Sequence, residues 1–170
     1  MQCPTVNIQI IGDFQDRISE YRLIKTAELV LAHELRCHTT ALSVVIADDQ
    51  VVRDLNKRHR GLDENTDVLA FSFTHHGEYY GEGEDPFRLD NQIDFVLPPA
   101  ENPSLGEVII SYPQAQRQAE VSDHTVEEEL LILLIHGVLH LLGHDHRVLK
   151  EELAMKKTEN KILDQVQLNV

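Results

Sequence analysis

His136-Gly137-Val138-Leu139-His140-Leu141-Leu142-Gly143-His144-Asp145-His146 is the stretch on which the reading of this chain turns. His136 and His140 stand four apart and so share one face of a helix. Gly143 can end that helix in a left-handed turn, and His146 follows where the chain can fold back toward the first two. Three imidazoles gathered from a helix and the turn after it make an open zinc site. Three protein ligands leave a fourth position for water, which is the catalytic rather than the structural arrangement. The stretch points to a zinc hydrolase holding one Zn2+ per chain, with His136, His140 and His146 as metal ligands.

The flanking residues bear on this reading. Leu130, Leu131, Ile132, Leu133, Leu134, Ile135, Val138, Leu139, Leu141 and Leu142 surround the histidines on nearly every face, the pattern of a buried helix. A buried imidazole must be hydrogen-bonded, ligated or facing a cleft. Two satisfied core histidines would meet that need, but the added Gly143 and His146 argue for a site. A closed structural zinc site would need a fourth ligand, from His144 or a cysteine. His144 can be a ligand, a substrate contact or a bystander. Asp145 is either an acceptor that orients an imidazole or a turn residue bonded to its own backbone.

Outward from this helix, hydrophobic periodicity sets the order of elements. Val6, Ile8 and Ile10 alternate with polar residues as in a half-buried strand. A helix over about residues 16–35 follows, capped by Asp13 or Asp16, with Tyr21, Ile24, Ala27, Leu31 and Leu35 as its apolar stripe. Residues 41–47 read as a second strand, and Asp48 or Asp49 caps a helix to about residue 59 with Val51, Val52 and Leu55 inward. Residues 67–73 read as a third strand, with Leu69, Phe71 and Phe73 on one face, and residues 108–112 as a fourth. The chain turns helical again after Pro113. Thr125 and Glu128 form a capping box opening a helix to about residue 142, whose first turn carries Glu127, Glu128 and Glu129 where the dipole favours them. A last helix covers about residues 148–163. The fold class expected is α+β, a single domain over residues 1–170: a small mixed four-stranded sheet packed by about five helices, carrying the zinc-hydrolase-like HxxxHxxGxxH site.

Residues 74–104 interrupt this order. They carry seven acidic residues and one arginine, with Gly77, Gly81, Gly83, Pro86, Pro98, Pro99 and Pro103, and read as a long acidic surface loop insertion.

Composition excludes several classes. A chain of 170 residues can bury a core without disulfides. Cys3 and Cys37, its two cysteines, lack metal-motif spacing and read as reduced thiols. The first residues have no signal-peptide pattern, and the longest apolar run is too short for a bilayer, so a cytoplasmic protein without a membrane partner is expected. The net charge of −14 excludes bulk electrostatic coating of nucleic acid. An RNA-binding reading must therefore rest on a local cationic patch. Arg53, Lys57, Arg58 and Arg60 supply one, and the spacing of Arg53, Lys57 and Arg60 permits a phosphate track along one helix.

His136, His140, Gly143 and His146 also match the metzincin protease spacing, H-E-x-x-H-x-x-G-x-x-H. Gly137, however, stands where the protease places its Glu general base, which moves the reading away from peptide hydrolysis. With Gly137, the run resembles the signature of the bacterial rRNA-maturation endoribonucleases, the YbeY family, whose pattern is H-G-x-L-H-L-x-G-Y-D-H; only His144 departs, where Tyr is usual. Leu55-Asn-Lys-Arg-His-Arg60-Gly61, Thr66-Asp67-Val68-Leu69-Ala70-Phe71 and Leu105-Gly106-Glu107-Val108-Ile109-Ile110-Ser111 also resemble family blocks.

The resemblance implies metal binding by His136, His140 and His146, and a functional role for Arg60. It further implies a single-strand-specific, zinc-dependent endoribonuclease acting in small-subunit (16S) rRNA 3′-end maturation and ribosome quality control. Its expected partners are single-stranded RNA, small-subunit rRNA and the ribosome or its proteins. A zinc ion would polarise a phosphoryl oxygen and lower the pKa of bound water toward ~7, while Arg60 could hold the scissile phosphodiester. Glu107, Asp67 and Asp145 are candidate bases, and either water or the RNA 2′-hydroxyl could attack. The alternatives are a metzincin-like zinc peptidase and a non-catalytic ribosome-assembly factor with a zinc-stabilised turn.

Overall fold

A computed structural model describes residues 4–35, 40–73, 104–144 and 149–168. Cys3, Cys37, Asp145, His146 and residues 74–103 of the acidic stretch lie outside them.

The alternating segment near the start forms β1 (Thr5–Ile10), and the chain then passes through a short 3-10 turn at Gln15–Arg17 into α1 (Glu20–Leu35). The helix starts later than the acidic caps Asp13 and Asp16 predict. Instead the Ser19 hydroxyl accepts the Arg22 N–H at 3.4 Å. Its buried face is Leu23, Thr26, Ala27, Val30 and Leu31, rotated from the expected stripe, and Tyr21 is 70% exposed. Next come β2 (Ala41–Ala47), α2 (Asp49–Arg60) and β3 (Val68–Ser72). Asp48 caps α2 by accepting the Val51 N–H at 2.8 Å.

β4 spans Ser104–Ser111 and starts earlier than its apolar run, because Ser104 and Gly106 already pair with Ala41 and Leu42 of β2. Tyr112 opens α3 (Tyr112–Ser122), followed by α4 (Val126–Leu141) and α5 (Leu149–Leu168). Both halves of the Thr125–Glu128 capping box form at the start of α4.

The sheet order is β1-β2-β4-β3, with the first three strands parallel and β3 antiparallel at the edge. It is the mixed four-stranded sheet with five helices that the sequence predicts. Because side chains alternate across a strand, the sheet has two apolar faces. Val44, Ile46, Val108 and Ile110 join the large core with α1, α3, α4 and α5. Val45, Ala47, Leu69 and Ile109 form a smaller core with Val52 of α2. Phe71 packs on this second face, whereas Phe73 lies past the strand and is 43% exposed.

The central element is α4, which packs on β3, β4, α1, α3 and α5. It lies close on the sheet at Gly137. A Cβ there would lie 2.6 Å from Val108 Cγ1 and 3.2 Å from Val68 Cγ2. Both are stiff β-branched side chains on the strands beneath, so the helix has no room for a larger residue. G137A is expected to cost about 1–3 kcal/mol through overpacking, measured by chemical denaturation; unchanged stability would contradict the close approach.

Candidate functional site

His136 and His140 project from the last two turns of α4. Their rings meet edge to face with centroids 4.4 Å apart, and the two Nε2 atoms are separated by 2.9 Å. His140 is buried, whereas the His136 side chain is 31% exposed, so the pair opens toward solvent on one side.

The opposite nitrogen of each ring is fixed by an acceptor. His136 Nδ1 lies 2.6 Å from Glu159 Oε1, and His140 Nδ1 lies 3.0 Å from the carbonyl oxygen of His144. A carboxylate and a carbonyl can only accept, so each Nδ1 carries the hydrogen. In the neutral rings, both Nε2 lone pairs then face one another. Two lone pairs at this distance repel unless a cation lies between them. This donor set fits a metal held by Nε2 atoms whose orientation is set through Nδ1.

Local sequence explains both acceptors. After Leu142, Gly143 adopts φ 90°, a left-handed conformation that glycine reaches without Cβ strain. Its N–H donates to His140 O, and the His144 N–H donates to Leu139 O, both at 3.0 Å, which completes a Schellman turn. The turn brings the His144 carbonyl back over His140. Glu159 belongs to the inward stripe of α5, in register with buried Met155, Ile162 and Val166, and so faces α4.

The His144 side chain turns to α1, where Nε2 lies 2.8 Å from Glu34 Oε2. Glu34 Oε1 is 2.9 Å from His33 Nδ1. Burial pushes the Glu34 carboxyl up, but hydrogen bonds from His144 and then His33 outweigh it and hold the group below its usual range. His144 thus ties the turn to α1. Neither Glu34 nor Glu159 was singled out from the sequence, although each falls on the inward stripe of its helix.

Of the predicted ligands, the structure brings His136 and His140 together, while His146 lies outside the described residues. Among the described residues no group of three or more His, Cys, Asp and Glu is gathered for a metal. Two candidate bases have hydrogen-bond partners of their own. Glu107 shares its strand parity with Ile109, faces the α2 side of the sheet and accepts from Ser43 Oγ at 3.2 Å. Asp67 accepts the Val68 N–H at 2.8 Å and Gln118 Nε2 at 3.0 Å, which makes it a structural cap.

Arg60 is the last residue of α2. That helix packs on the sheet face opposite α4. The expected phosphate track is altered: Arg53 Nε and Lys57 Nζ each lie 2.8 Å from an oxygen of Asp63. No described helix is long and apolar enough to cross a membrane.

A solved protein of Thermotoga maritima aligns over 95% of this chain and 89% of its own with a TM-score of 0.59 and 23% identity, which shows a shared fold. Proteins named endoribonuclease YbeY are similar in sequence. One from Dehalococcoides mccartyi is 42% identical, covering 91% of this chain and 86% of that protein. One from Halalkalibacterium halodurans is 37% identical over 93% and 95%, and one from Aquifex aeolicus 36% over 88% and 85%. The family profile for endoribonuclease YbeY matches residues 11–167. The chain belongs to the endoribonuclease YbeY family.

Proposed function

We propose that this chain is a zinc-dependent, single-strand-specific endoribonuclease that acts in small-subunit rRNA 3′-end maturation and ribosome quality control in the cytoplasm. The observation that carries the reading is the pair of Nε2 atoms 2.9 Å apart, each on a ring whose Nδ1 is held by an acceptor. His136, His140 and His146 would hold the ion, which when bound supplies a Lewis acid for a phosphoryl oxygen. Glu159 and the His144 carbonyl orient the first two rings and make them better donors. Arg60 would bind the phosphodiester and balance the charge that develops on it.

The peptidase alternative is disfavoured by packing. A Glu at position 137 would drive its Cβ into Val108, so α4 cannot seat the carboxylate that peptide hydrolysis of this type requires.

Purified protein is expected to cleave single-stranded RNA. Chelation should abolish the cleavage, and added Zn2+ should restore it. His140→Ala prepared in parallel should be inactive; equal cleavage by both proteins would refute the nuclease site, and a stable but inactive wild type would favour the assembly-factor role. Glu159→Gln should weaken zinc affinity about 10- to 100-fold, measured by competition with a chromophoric chelator. Unaltered affinity would mean that Glu159 does not orient His136.

A further inference from the structure

The cationic face of α2 has a built-in anionic partner. Gly61 ends the helix, and the Nδ2 of fully buried Asn56 donates to Glu64 O at 3.0 Å. That hydrogen bond holds the connection to β3 against the helix and carries Asp63 back over its own preceding turns. There the two carboxylate oxygens divide between two cations: Oδ1 with Arg53 and Oδ2 with Lys57, each at 2.8 Å. The hydrogen bonds from Lys57 and then Arg53 keep the Asp63 carboxyl below its usual range, so it stays ionised near neutral pH.

One anion with two oxygens meeting one donor from each of two cations is also how a phosphodiester would be held. All three side chains are about half exposed. Such exposed pairs contribute little stability, so a backbone phosphate can displace the carboxylate without harm to the fold. The surrounding protein is strongly acidic, at −14, which makes a closed cationic site informative: it is where RNA affinity can be set.

We propose that Arg53 and Lys57 form a phosphate subsite for single-stranded RNA that Asp63 occupies in the free protein, an internal competitor that limits RNA affinity. The proposal rests on the RNA-cleaving reading above. It adds a subsite on α2 and a residue that regulates it.

The test is equilibrium binding of a fluorescent single-stranded RNA oligonucleotide to full-length wild type, Asp63→Asn and Asp54→Asn across a salt series, in the cold before cleavage advances. Asp54→Asn is the charge control. It lies on the same helix, and its carboxylate accepts from Gln50 Nε2 at 2.9 Å. Asp63→Asn should bind about three- to tenfold tighter near 0.1 M salt, with a log–log salt slope steeper by about 0.7 per phosphate gained. Asp54→Asn should stay near wild type. Equal effects of the two variants, or no effect of Asp63→Asn, would overturn the proposal. Unchanged binding by Asp63→Asn, alongside a wild type that cleaves RNA, would sink the subsite alone. Tighter binding by Asp63→Asn in a protein that cleaves nothing would sink the nuclease reading alone.

Discussion

The structure depends on how closely α4 lies on the sheet. At Gly137 the helix backbone rests almost directly on Val108 and Val68, and its apolar side chains fill the large core on that face. With the helix fixed at that height, His136 meets α5 at Glu159, and His144 in the turn after α4 meets α1 at Glu34. The same contact explains a chemical absence. The position that would carry a protease base is the one position on α4 with no room for a side chain, so packing and chemistry select glycine together.

Around that contact, acceptors define what the imidazoles can do. A carboxylate from α5 and a carbonyl from the Schellman turn hold the two Nδ1 hydrogens, and the two Nε2 atoms face one another 2.9 Å apart. His144 takes part twice, through its carbonyl toward His140 and through its ring toward Glu34. Through its ring, His144 anchors the turn to α1. Away from the histidines, α2 places a compact positive surface on an acidic protein, with Asp63 seated on part of it.

Much of this is legible in the amino-acid sequence. Period-two and period-3.6 patterns located four strands and the major helices, and the Thr125–Glu128 pair marked the start of α4 correctly because the capping box is a local chemical signal. Boundaries that depend on tertiary pairing were missed. β4 begins at Ser104 because β2 offers partners there, not because its sequence is apolar. The α1 stripe holds at Ala27 and Leu31 but not at Tyr21, whose side chain is largely exposed. The histidine pair was legible from spacing alone. Glu159 and Glu34 were not, since a carboxylate within an inward stripe looks like an interruption until the facing helix is known. Asp63 was invisible for a related reason: its partners lie in the helix before it, and only the Asn56-anchored connection brings them together.

The central claim is that His136 and His140 converge on one metal ion through their Nε2 atoms, with His146 as third ligand. X-ray absorption at the zinc edge of the loaded protein tests it most directly. The account predicts three imidazole nitrogens at ~2.0 Å and an added light-atom ligand, with one imidazole lost in His146→Ala. A zinc shell containing sulfur, or one unchanged by removing either His140 or His146, would contradict it.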